Sequence, residues 1–95
     1  MLEIIMLTIL ILGLIMNNDK ELLAEEIIKI IKNITRSDNV DVQSSNQNLD
    51  QWDSLAYMSI ISEIEINYDI EVTEENINNF GSVKSIIDII LNDNQ

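Results

Sequence analysis

The chain has no cysteine, no histidine, no proline and only two glycines among its 95 residues. Without cysteine it can form no disulfide, offers no thiolate nucleophile and cannot build a zinc site of the usual kind; the redox compartment is left unread. Without histidine it lacks the commonest general base near neutral pH, so Ser44 and Ser45 have no partner for a hydrolytic triad. Gly13 and Gly81 cannot make a glycine-rich phosphate loop. Asp38, Asn39 and Asp41 hint at a calcium loop but lack its glycine and closing glutamate, and no metal site is expected. Basic residues are scarce too, 5 against 17 acids, for a net charge of -12. That balance argues against nucleic acid and against anionic membrane surfaces, and makes a partner with a basic patch the natural complement.

What is present is a single small domain's worth of apolar residues, 46% of the chain, in helical patterns. Residues 4–16 are almost wholly apolar, broken only by Thr8 and Gly13. The run is shorter than the roughly 20 residues of a membrane span, and it lacks the positive start and cleavage site of a signal peptide. Three readings remain open: Met16 is the true initiator, the segment is an apolar extension that docks elsewhere, or it is a weak membrane anchor. The first is favoured, and no membrane role is expected.

Asn18 to Glu21 has the spacing of a capping box, and Leu23, Ile27, Ile30, Ile31 and Ile34 follow at helical intervals, which predicts a first helix over residues 19–35. Residues 36–51 form a long polar loop whose few apolar residues, Val40, Val42 and Leu49, offer two or three anchors in the core. Asp53 or Ser54 opens a second helix, with Tyr57, Ile60, Ile61, Ile64 and Tyr68 on its inner face and Leu55 and Met58 toward a neighbouring one. Thr73 caps a short turn through Asn79, and Ser82 caps a last helix that turns Val83, Ile86, Ile87, Ile90 and Leu91 inward. Tyr57, Tyr68 and Phe80 are the expected inner aromatics, and Trp52 is a loop aromatic covering the core. No strand pattern appears. The fold class is all-α, a small bundle of three main helices plus one short helix, with a long loop between helices one and two.

One place stands out for chemistry. Trp52-Asp53-Ser54-Leu55 ends the long loop and begins the second helix. A helix start exposes free N–H groups and the positive end of the helix dipole, so a phosphate ester on Ser54 would be well placed. The hydroxyl is too weak a nucleophile alone and would need another protein to activate it. The plainer alternative is that Asp53 is an N-cap and Ser54 merely follows it.

From Asp53 to Leu91 the sequence resembles the acyl carrier protein family without a gap. Asp53-Ser54-Leu55 matches its helix-opening motif, and Ile61 and Ile64 its core positions. Tyr68-Asp69 matches its aromatic-Asp helix end, Glu71-Val72 with Thr73-Glu74-Glu75 its acidic turn, and Ser82-Val83 with Ile86-Ile87-Asp88 its last helix. Helix one resembles the family loosely, down to Asn18; residues 1–16 do not, so they are set apart as an extension from a carrier domain over 17–95. The resemblance implies that Ser54, flanked by Asp53 and Leu55, is joined through a phosphodiester to 4'-phosphopantetheine taken from coenzyme A by a separate magnesium-dependent transferase. The resulting phosphoprotein would hold an acyl group as a thioester in fatty-acid or other lipid metabolism. It would be a cytoplasmic monomer that presents cargo to acyl-transferring or ligase enzymes with basic patches and catalyses nothing itself. Asp53, Leu55, Met58 and Glu63 are the expected partner contacts. Trp52 departs from the bulk fatty-acid carriers and is more familiar in specialised ones, and Ala56 and Ser59 stand where the fatty-acid carriers often have acids. An aminoacyl carrier and an unmodified acidic interaction module are the alternatives.

Overall fold

The computed structural model describes the backbone of residues 2–93 and the side chains of residues 4–7 and 20–92. Among these residues there are three α-helices, α1 (Leu2–Thr35), α2 (Ser54–Tyr68) and α3 (Val83–Asp93), a short 3-10 helix (Ile77–Asn79) and no strand. The all-α bundle expected from the periodicity is the observed architecture. α1 packs against both α2 and α3, and α3 also against the 3-10 helix.

The capping box at Asn18 to Glu21 is not used as a helix start. α1 is continuous from Leu2, through residue 16, to Thr35. The chain before Asn18 is rich in Leu, Ile and Met, good or fair helix formers, and it has no proline to stop the helix from propagating backward. A cap stabilises an end where the chain turns away, but it does not force one. At 1.5 Å per residue, 34 residues span about 50 Å, close to the 55 Å longest dimension of the molecule. Among the described side chains of α1, Leu23 is the first that is buried, and Ile4, Ile5, Met6 and Leu7 are all exposed. The side chains of residues 8–19, on which the expectations for Met16 and Asn18 rest, lie outside the described residues. No helix among the described residues is long and apolar enough to cross a membrane.

The core is drawn from all three helices: Leu23, Ile27 and Ile31 of α1, Ile60, Ile61 and Ile64 of α2, and Val83, Ile86, Ile87 and Ile90 of α3, closed by Ile70 and Phe80. Ile30, Ile34 and Leu91 pack against it from its edge. Two of the loop's three apolar residues anchor it in the core: Val40 is buried and Leu49 partly so, while Val42 is 42% exposed. Val42 sits in a tight turn, closed by Ser44 N–H on Asp41 C=O (3.1 Å) and Asp41 N–H on Ser44 Oγ (2.9 Å). One expectation about the loop needs correction. Trp52 is only 2% exposed, deeper than the half-buried Tyr57 and Tyr68, so it belongs with Phe80 among the inner aromatics. The two tyrosines keep their hydroxyls at the edge because each has a polar partner there.

Hydrogen bonds hold the loop to the start of α3. Asn46 N–H donates to Gly81 C=O (2.8 Å) and Val83 N–H to Ser44 C=O (3.1 Å), around an isolated antiparallel bridge between Ser45 and Ser82. A Cβ at Gly81 would meet the Asn46 side chain at 3.1 Å, so a larger residue at this crossing would press that side chain aside by a few tenths of an ångström. Ser82 Oγ accepts from Ser85 N–H and caps α3 as its sequence suggested, and Thr73 Oγ1 accepts from Asn76 N–H in the turn before the 3-10 helix. Both long helices end in left-handed residues, Arg36 (φ 61°) after α1 and Asp69 (φ 51°) after α2. At the far end of α2, Tyr68 Oη donates to Glu26 Oε2 of α1 at 2.7 Å.

Ile64 is fully buried, and Ile64→Ala should cost about 2–5 kcal/mol, enough to leave a domain this small largely unfolded in a urea titration. Burial, and after it the hydrogen bond to Glu26 and its charge, pushes the Tyr68 phenol well above its ordinary value of 10.0. A raised pKa means that the fold favours the protonated phenol, so this contribution is complete below pH 10 or so and declines above it. Stability should therefore fall with alkaline pH more steeply in the wild type than in Tyr68→Phe, as chemical denaturation on either side of about pH 10 would show.

Candidate functional site

Asp53 has extended backbone angles (φ -85°, ψ -173°), and its Oδ1 accepts the Ala56 N–H at 2.9 Å, the geometry of an N-cap. Its carbonyl accepts the first intrahelical bond, from Tyr57 N–H at 2.8 Å. The N–H groups of Ser54 and Leu55 lie ahead of that bond, at the open end of the helix. Ser54 is the first residue of α2 and is exposed. Its hydroxyl therefore sits at the positive end of the helix dipole and is open to an approaching enzyme.

A groove of about 400 Å³ beside Ser54 is lined by Asn46, Trp52, Asp53, Ser54, Tyr57 and Met58. Tyr57 holds its far wall. The hydroxyl donates to Ile77 C=O at 2.6 Å and accepts from Phe80 N–H at 3.2 Å, fastening the first turn of α2 to the segment that leads into α3. Asp53 also borders a second groove, lined by Ile34, Thr35, Gln51, Leu55, Ala56 and Ser59. Ser54 thus stands on a ridge between loop, α2 and the end of α1.

Leu55 is 78% and Met58 55% exposed, both beside Ser54. Ile66, 76% exposed, extends the same face two turns further on, with Ser59 and Ser62 between, and sequence reading passed it over. The signal for it was present: residues 55, 59, 62 and 66 recur at three- and four-residue steps on the side opposite Ile60 and Ile64. Glu63 is exposed but is not brought to the site. Nine residues after Ser54 is about two and a half turns and 13 Å along the axis, on the other side of the helix, and there Glu63 accepts from Asn67 Nδ2 at 3.2 Å. Tyr57, expected only as a core aromatic, and Asn46 also line the site; Asn46 comes from within the loop, and no local pattern marks it.

Among the described residues no cluster of three or more acids is placed to hold a metal ion. In the Asp38–Asp41 stretch, Asp41 Oδ1 accepts Gln43 N–H, and the backbone N–H of Asn39 donates to Ser37 Oγ. Ser44 is buried, its hydroxyl held by the Asp41 N–H, so it is a structural residue.

Removing the cap should loosen the site without dissolving the fold. Asp53→Ala should lower stability by about 1 kcal/mol in thermal or urea melts, and Asp53→Asn by much less, because asparagine can still accept the Ala56 N–H. Equal losses would mean that the carboxylate charge, rather than the cap, stabilises this end.

No protein-family model matches the chain, and no curated protein and no solved structure matches it.

Proposed function

We propose that the chain is an acyl carrier protein whose working residue is Ser54. The observation that carries this reading is a single exposed serine at the open N-terminus of α2, inside the Asp53-Ser54-Leu55 motif. The residues there fit a phosphoester: Asp53 turns its Oδ1 to Ala56 N–H, which leaves the Ser54 and Leu55 N–H groups at the dipole's positive end beside the hydroxyl. A chain without cysteine or histidine has no thiol and no ready base of its own, which suits a protein that borrows both.

In the attachment step Ser54 Oγ bonds to the phosphorus that carries the pantetheine of coenzyme A. The phosphoanhydride bond breaks, adenosine 3',5'-bisphosphate leaves, and the hydroxyl proton passes to a base of a magnesium-dependent transferase. Once bound, the 4'-phosphopantetheine arm supplies the thiol that holds the cargo as a thioester. Leu55, Met58 and Ile66 offer an exposed apolar stripe for client enzymes, and the ten acids from Asp38 to Glu75, with no base between Ser37 and Val83, favour clients with basic patches. Attraction of this kind mainly speeds association and is screened within about 8–10 Å at ordinary salt.

Incubation with coenzyme A and a broad-specificity phosphopantetheinyl transferase should add one arm per chain, seen by intact mass and mapped to Ser54. Ser54→Ala should melt within about 1 kcal/mol of the wild type and stay unmodified. A folded wild-type chain that takes up no arm would instead favour an unmodified acidic module binding a basic partner.

A further inference from the structure

Trp52 combines two features that its place in the motif does not explain. Its side chain is 2% exposed, and its indole Nε1–H is buried with no hydrogen-bond acceptor. Buried donors are nearly always paired, because an unpaired one has given up water for nothing. Phenylalanine would supply a buried ring with no donor to leave unpaired. Trp52 also lines the groove beside Ser54, so the residue that carries the unpaired donor belongs to a wall of the site.

The groove suits a slender, partly polar chain. Trp52 and Met58 give it apolar surface, and Asn46, Asp53 and Tyr57 give it polar groups. Asn46 and Met58 are exposed, the lining side chains most free to move aside for an incoming acceptor. Behind it the way is shut: Tyr57 is fastened to Ile77 and Phe80, and Phe80, Ile60, Ile64 and Val83 beyond it are fully buried. Whatever leaves Ser54 Oγ on this side meets the groove first and the sealed core second.

Resting on the carrier reading, we propose that Trp52 is a docking residue for the arm. Its Nε1–H donates to a carbonyl or hydroxyl oxygen of the pantoyl segment nearest Ser54. The gem-dimethyl group of that segment lies against Trp52 and Met58, and the groove holds the proximal arm along the protein surface. The rest of the arm, with its thiol, extends past the groove toward clients. The indole N–H finds its acceptor only in the modified protein, so attachment stabilises the fold and stiffens the arm at its base.

The chain has one tryptophan, so a single indole N–H resonance reports on the contact. Apo and holo protein are compared, the holo form made with coenzyme A and a transferase and verified by mass at Ser54. The indole proton should move downfield on modification, and holo should melt higher by about 4 °C, the size of one hydrogen bond gained in a domain of this length. Trp52→Phe, once verified by mass to carry the arm at Ser54, should lose the melting difference. An indole resonance that stays in place in verified holo protein overturns the proposal, and because this comparison needs only wild type, a poorly folding Trp52→Phe does not rescue it. Failure to modify Ser54 at all is a different result, which removes the carrier reading and this one together.

Discussion

A core made mostly of isoleucine is the constraint on which the rest of this molecule depends. Nine isoleucines from α1, α2, α3 and Ile70 meet around Phe80, Val83 and Trp52. Their β-branched side chains are stiff and lose little freedom on packing, which matters in a domain with little surface to bury. This core also has to outweigh the self-repulsion of a net charge of -12. The acids are tolerable because the described ones are exposed on the outer faces, where water and salt screen them.

The site is built where that core stops. Loop, helix start and the connection before α3 converge at one end, held by polar contacts: Asp53 to Ala56, Asn46 to Gly81, and the Tyr57 hydroxyl to Ile77 and Phe80. Each is modest alone, since exchange with water returns most of a hydrogen bond's gross energy. Together they hold Ser54 exposed at a fixed helix terminus while the two residues before it, Trp52 and Asp53, serve core and cap. A serine that must be reached by other proteins is better carried on a rigid end than on the loop preceding it.

The two ends of α2 do different work. At Tyr68 the contact with Glu26 ties helix to helix, burial and a nearby carboxylate both favouring the protonated phenol. Around Ser54, Asp53 spends one oxygen on a backbone N–H and serves geometry. The long helix α1 supplies the common wall for α2 and α3, and its first turns reach beyond the packed body, where Ile4 to Leu7 stay exposed.

Much of this was legible in the sequence. The spacing of Ile60, Ile61 and Ile64, and of Val83, Ile86, Ile87 and Ile90, marks the inner faces of α2 and α3, and Asp53, Thr73 and Ser82 mark where turns and helices begin, because helical period and capping are matters of three or four neighbouring residues. The acidic balance and the absence of cysteine and histidine are likewise complete in the composition. Tertiary structure decided the rest. It ran α1 through the cap at Asn18, turned Val42 outward and drew Trp52 inward. It also joined Tyr57 to residues 20 and 23 positions away and brought Asn46 over Gly81 to finish the groove. None of these follows from local spacing. Each depends on which distant segments the burial of a shared core forces together, and a pattern with a period of under four residues carries no record of that.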